Sequence, residues 1–170
     1  AVMEAALAAG ATIVNDISAL RYDERAMEVV VRAGCPVVLM HAPSAKSDPH
    51  EGGTYAHALL DVYDMLAERV AACTAAGIDP AKIIVDPGIG FGKGVADNLA
   101  LVNGLALFHT LGCPLLFGAS RKRMIGALDN EAPVDQRLGG SVALHYQAAT
   151  QGAQLLRVHD VPETVQALHV

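Results

Sequence analysis

The chain is short of cations, aromatic rings and cysteines, and each shortage narrows what it can be. Twelve lysines and arginines stand against 18 aspartates and glutamates in 170 residues, a formal net charge of −6. A nucleic-acid surface needs clustered basic residues. Here the cations of interest follow short apolar runs and do not line one helix face. No apolar run approaches a membrane span and no signal peptide is legible, so the expectation is a cytoplasmic chain without membrane or nucleic-acid partners. Cys35, Cys73 and Cys113 lie among apolar or small residues, and there is no C-x-x-C pair. An odd, unpatterned set reads as reduced thiols, not as a disulfide framework or a zinc site. Two nucleotide motifs are missing as well. There is no G-x-x-x-x-G-K-[ST], and Gly88-Ile-Gly-Phe-Gly92 misses the dinucleotide fingerprint because it follows Asp-Pro and does not open directly into a helix.

What is present is an alternation. Helices are expected over Ala1–Ala9, Asp23–Ala33 and Tyr55–Ala76, from an N-cap at Asp97 to Gly112, over Gln136–Thr150 and from Pro162 onward. Strands are expected over Thr12–Ile17, Val37–Met40, Ile83–Asp86, Leu115–Phe117 and Leu155–Val158, and the runs that hold the last three are short and apolar almost throughout. His41 to Gly53, with Pro43 and Pro49, reads as a polar loop. Apolar faces fall on Met27, Val30 and Val31, then on Leu59, Tyr63, Leu66, Val70 and Cys73, then on Leu101, Leu105 and Phe108. Such alternation implies an α/β fold with a parallel sheet and right-handed crossovers. Gly34-Cys-Pro-Val-Val-Leu39 and Gly112-Cys-Pro-Leu-Leu-Phe117 repeat one helix-to-strand join. Both ends read as cut. Five strands then fit part of an eight-stranded barrel of about 250 residues better than a complete open sheet. The expected organisation is one domain over 1–170, truncated at both ends, holding strands 4 to 8 of a (β/α)8 barrel.

Polar bursts stand at the strand C-terminal ends, where barrel and open α/β folds place ligands. Asp86 precedes Pro87 and Gly88, and a half-buried carboxylate there can accept two parallel hydrogen bonds from a donor-donor edge such as a 2-amino-pyrimidinone. Gly88, Gly90 and Gly92 allow close backbone approach, and Phe91 can wall an aromatic substrate. The same segment also reads as a glycine-rich connection with a turn-capping aspartate. Ser120, Arg121 and Lys122 offer a hydroxyl, a planar fork and a point cation for a polyanion or a carbonyl, or form a solvated basic turn. Arg157 and His159, two apart, share a strand face and can meet a phosphate; alternatively His159 and Asp160 cap the last helix. Asn15 can pair with a heterocycle edge or serve turn chemistry. His41 ends the second strand, and the remaining histidines, His145 among them, read as surface or packing residues.

Asp86-Pro-Gly-Ile-Gly-Phe-Gly-Lys93, Gly118-Ala-Ser-Arg-Lys122 and Arg157-Val-His-Asp160 are specific in combination. From Asn15 to Asp160 the chain is similar to the dihydropteroate synthase family, the folate-pathway enzymes that sulfonamides target. The resemblance implies transfer of 6-hydroxymethyl-7,8-dihydropterin from its pyrophosphate to p-aminobenzoate, helped by Mg2+. It implies a pterin site of Asn15, Met40, Asp86, Gly118 and Lys122, and a p-aminobenzoate border of Phe91, Ser120 and Arg121. Arg157 and His159 would take the pyrophosphate, so Asp86, Lys122, Arg157 and His159 would carry catalysis, with no metal ligand in this segment. It further implies a homodimeric parent, to which Leu144 and Tyr146 could contribute. The family's Asn-Val-Thr-x-Asp-Ser-Phe and Ser-Thr-Arg-Pro loops have no counterpart in the sequence, so the segment alone is expected to be inactive. After His41 the family often continues Met and then Gly, where this chain has Ala42-Pro43-Ser44. Two other readings stand beside it. One is a corrinoid-linked methyltransferase that binds methyltetrahydrofolate, which has no use for the pyrophosphate-side residues. The other is a non-catalytic pterin-binding half-barrel.

Overall fold

Five short strands lie side by side, all parallel, in the computed structural model of the chain, which describes residues 2–44, 48 and 50–170. Ala1 of the expected first helix and Pro49 of the polar loop lie outside the described residues. β1 (Val14–Asp16), β2 (Val37–Met40) and β3 (Ile83–Asp86) form one ladder, and β4 (Leu116–Phe117) and β5 (Leu155–Leu156) form another. A parallel bridge from Val85 to Leu115 joins the two. The strands therefore follow one another in sequence order, with β1 and β5 outermost, as a parallel sheet built from β-α units must when each crossover has the same hand.

The pleat sorts the side chains. Val37, Leu39, Ile83, Val85, Leu115 and Phe117 face the helices, where they join Val30, Leu66, Leu101, Phe108 and Ala148 in one buried cluster. Val38, Ile84 and Leu116, with Leu155 against them, form a smaller cluster on the opposite, inner face. The helix layer comprises α1 (Val2–Ala8), α2 (Ala26–Ala33), α3 (Ala58–Ala75), α4 (Val95–Asn103), α5 (Arg123–Leu128), α6 (Leu138–Thr150) and α7 (Val161–Leu168). The two repeated helix-to-strand joins begin alike, since Gly34 and Gly112 both end their helices in the left-handed region.

Local differences from the sequence reading have physical causes. Asp97 is the third residue of α4; Gly94 is its N-cap, and the Asp97 carboxylate accepts the Gly94 N–H at 3.0 Å. The helix expected to run to Gly112 stops at Asn103 and resumes as a 3-10 helix over Leu105–Leu111. A side chain at Gly104 would stand 2.3 Å from Leu59 Cδ2, so α3 presses the chain at the break. On α2 the buried face is Ala26, Val29 and Val30, while Val31 is exposed. Leu144 packs partly against the core, which leaves Tyr146 as the exposed member of that pair on α6. α5 follows the Ser-Arg-Lys burst directly, burying Met124, Ile125 and Gly126; six residues are too few to announce a helical period. All three cysteines are free. Among the described residues no helix is long and apolar enough to cross a membrane.

Candidate functional site

Period-two alternation carries Asn15, Met40 and Asp86 to the inner face on three successive strands, and Gly118 and Arg157 continue it just past β4 and β5. The register holds them at one level. Met40 pairs with Asp86, the His41 N–H donates to the Asp86 carbonyl at 2.9 Å, and the Arg157 N–H donates to the Phe117 carbonyl at 2.9 Å. Asn15 is exposed, on an outermost strand.

Asp86 is 2% exposed. One carboxylate oxygen accepts the Gly88 N–H at 2.8 Å. The other, Oδ2, is buried without a hydrogen bond and lies 3.7 Å from Arg157 Nη2. Burial raises the carboxyl pKa; the Gly88 N–H and the charges of Arg157, Lys93 and Lys122 pull the other way. Gly118 makes room for this pair, because a Cβ there would sit 3.1 Å from Arg157 Nη2. A cavity of about 290 Å³ opens beside it, lined by Gly118, Ser120, Lys122, Arg157, Val158 and His159.

The Ser-Arg-Lys segment divides its work. The Ser120 hydroxyl accepts the His159 N–H at 3.2 Å and meets His159 Nδ1 at 2.9 Å. Arg121, at a φ of 58°, donates from Nε and Nη2 to the two oxygens of Asp160. These two residues brace the end of β4 against the end of β5. Asp160 stands at the N-cap of α7 but makes no capping bond, because Arg121 holds its carboxylate and keeps its pKa low. Lys122 turns toward the cavity and also lies over Phe91, with Nζ 4.0 Å from the ring centroid. Burial lowers the Lys122 pKa, an effect that Arg157 reinforces and Asp86 opposes. His50 stacks on Phe91 at 4.8 Å.

The glycine loop is held from both sides by residues with no role in the sequence reading. Lys93 Nζ donates to the carbonyls of Gly88 at 2.9 Å, Phe91 at 3.0 Å and His41 at 3.4 Å. Burial pulls its pKa down to about 7, against the pull of Asp86 and Asp97. Asn98, on α4, accepts the Gly90 N–H at 2.7 Å and donates to the carbonyls of Lys93 and Gly94. The signal in sequence was only that Lys93 closes the loop. His145, fully buried, is a packing residue whose Nε2 accepts the Ala119 N–H and whose Nδ1 meets the Ser141 carbonyl.

His41 is more consequential than its place before a polar loop suggested. It is buried, its Nδ1 has no partner, and burial together with Lys93 and Arg21 pushes its pKa to about 3. Its unfolded value is about 6.5. Between these values the unfolded chain binds the proton and the folded chain does not, so stability falls as pH falls. The loss reaches about 3 kcal/mol at pH 4. Asp86, with a raised pKa, runs in the opposite sense, and comparison with a His41→Gln variant cancels it. Thermal melts from pH 7 to pH 4 should show a steeper acid loss for the wild type. Equal slopes would contradict a neutral buried His41.

A model of the pterin binding enzyme family matches residues 1–159. The chain is 44% identical over 161 residues to the dihydropteroate synthase of Escherichia coli K12, covering 95% of this chain and 56% of that protein. Its fold matches the Xanthomonas albilineans dihydropteroate synthase solved with 4-aminobenzoic acid at a TM-score of 0.92 and 47% identity, over 99% of this chain and 59% of that one. The same enzyme in complex with 7,8-dihydropteroate matches at a TM-score of 0.90 and 48% identity, over 99% and 61% of the two chains. The chain thus spans somewhat over half the length of these relatives, and its five-stranded sheet is a partial eight-stranded barrel. With the inner-face residues gathered at the C-terminal ends of its strands, and a family model that runs through all of them, the chain belongs to the pterin binding enzymes.

Proposed function

We propose that the chain is the pterin- and pyrophosphate-binding part of a dihydropteroate synthase. The observation that carries this reading is the unpaired Oδ2 of buried Asp86, with Arg157 across it and a cavity beside it. A buried carboxylate oxygen without a donor is costly unless a ligand supplies one. The 2-amino and ring N–H edge of a dihydropterin supplies two. The relatives solved with 4-aminobenzoic acid and with 7,8-dihydropteroate support the same substrates here. Nothing in the site favours a methyl-transferring corrinoid partner.

In this reading Asn15, Met40, Gly118 and Lys122 hold the pterin around Asp86. Phe91 and Lys122 wall the p-aminobenzoate, while Ser120 and Arg121 brace His159 and Asp160. Arg157 and His159 take the diphosphate. The bond from the pterin methylene to the diphosphate oxygen breaks, the bond to the arylamine nitrogen forms, and that nitrogen loses one proton to solvent. Asp86 stabilises positive charge on the pterin, and Arg157 and His159 stabilise negative charge on the leaving group. Catalysis is thus by placement and electrostatics. Mg2+ would accompany the diphosphate, but among the described residues no group of three His, Cys, Asp or Glu side chains converges to hold it. The whole enzyme is read as a cytoplasmic homodimer.

Binding of the pterin pyrophosphate that 7,8-dihydropteroate displaces in a calorimetric titration tests the reading; a folded protein whose bound pterin pyrophosphate is not displaced would contradict it. Arg157→Ala should weaken the pyrophosphate-bearing pterin about 10- to 100-fold more than the plain pterin alcohol, the scale of charged hydrogen bonds. Equal losses in a calorimetric titration of both ligands would remove Arg157 from the leaving-group site.

A further inference from the structure

We propose that Lys93 is a positioning residue of this site, whose ammonium, enclosed by carbonyls of the glycine loop and the end of β2, fixes Phe91 and the turn after Asp86. The inference rests on the pterin-site reading above. Three left-handed glycines, Gly88, Gly90 and Gly92 at φ of 68°, 78° and 58°, shape the loop that closes on Lys93. The carbonyls of Gly88 and Phe91 both turn onto Nζ. Backbone carbonyls that converge in this way make a cation nest, and the chain fills it with its own lysine.

The consequences reach the site in two directions. Gly88 is also the residue whose N–H holds Asp86 Oδ1, so an ammonium bound to the Gly88 carbonyl fixes both faces of that peptide neighbourhood. Phe91 is held through its backbone by Lys93, while its ring carries Lys122 Nζ on its face. Loosening Lys93 frees the ring on which Lys122 rests. Lys93 is also a buried countercharge to Asp86, and each acts on the ionisation of the other. The groups that set its charge are Asp86 at the end of β3, Asp97 on α4 and Lys122. The His41 carbonyl also accepts from it. Lys93 reaches backbone oxygens and leaves no donor aimed into the cavity lined by Lys122 and Arg157, so it acts through its neighbours.

Hydrogen exchange without ligand and pterin titration with it separate the parts of this claim. Lys93→Met should speed exchange of the Gly88, Gly90 and Phe91 amides while β2 amides keep their protection, and should lower pterin affinity by about tenfold or more. Wild-type affinity should fall as pH rises through about 7, as Lys93 loses its proton, whereas the variant should lack that limb. If Lys93→Met folds too poorly to read, Lys93→Arg keeps a charge that does not titrate there and should abolish the same pH limb. Unchanged loop exchange, or a variant with the affinity and pH profile of the wild type, overturns the proposal. A wild type that keeps its loop protected but binds no pterin overturns the functional reading, and the proposal with it.

Discussion

Asparagine in place of Asp86 is expected to cost pterin binding about 1.5–3 kcal/mol, the scale of hydrogen bonds to a charged group, and to leave the fold at least as stable as before. The two outcomes have one cause. Asp86 is buried to 2% exposure and only one of its oxygens is hydrogen-bonded in the free protein. Its negative charge is desolvated, and the nearest Arg157 nitrogen, at 3.7 Å, belongs to a side chain that is 48% exposed. Such a pair returns little of its desolvation cost to the fold, and Lys93, the other buried countercharge, keeps its three carbonyl partners and can lose its proton near pH 7. The amide introduced by Asp86→Asn could still accept from Gly88 with its carbonyl oxygen. Its NH2 group would then stand where Oδ2 stood and meet the donor edge of a pterin with another donor. Calorimetric titration with the pterin alcohol and a thermal melt read the two effects together. Weakened binding at unchanged or raised melting temperature is the expected pattern. Unchanged affinity would end the role assigned to Asp86, and a large loss of stability would make the residue a structural one.

The second large effect is Gly88→Ala, expected to destabilise the fold by about 3–5 kcal/mol, the sum of left-handed strain and overpacking. A Cβ on Gly88 would lie 2.0 Å from the His41 carbonyl oxygen, and φ is 68°. His41 cannot give way cheaply. Its N–H is bonded to the Asp86 carbonyl, extending the β2–β3 ladder by one residue, and its own carbonyl accepts from Lys93. Gly112→Ala is the internal control. It shares a left-handed φ of 72°, yet nothing lies within 4 Å of its added methyl. It should cost only about 1–2 kcal/mol. Denaturant unfolding of both variants checks the difference, and equal losses would show that the contact with His41 contributes nothing.

The residues that were legible in sequence are those whose position follows from a short period. Met40 and Asp86 end apolar runs, so the pleat alone assigns them to the inner face, and Gly118 and Arg157 follow one step past β4 and β5. Leu101, Leu105 and Phe108 are fully buried as their spacing implied, even though the helix expected to carry them breaks at Gly104. That break was illegible because its cause, Leu59, arrives from a different helix. Strand ends were read too long at β1 and β5, since Thr12, Ile13 and Ile17 on one and Val158 on the other suit a strand but lie outside the ladder pairs. Composition could not show that Arg121 turns to Asp160, nor that Lys93 folds inward onto carbonyls, because lysine and arginine types fit solvent equally well. Partners of that kind are set by tertiary placement, as are the unpaired buried atoms of His41 and Asp86 that mark the site most sharply.

The central claim is that the inner rim of this sheet binds a dihydropterin with its diphosphate. Calorimetric titration of the wild-type protein with 6-hydroxymethyl-7,8-dihydropterin pyrophosphate, beside the same pterin as its alcohol, tests it most directly. Binding of both, tighter for the diphosphate and with that preference weakening as salt rises, is the predicted result. A folded protein that binds neither ligand, or that binds both equally well, would contradict it.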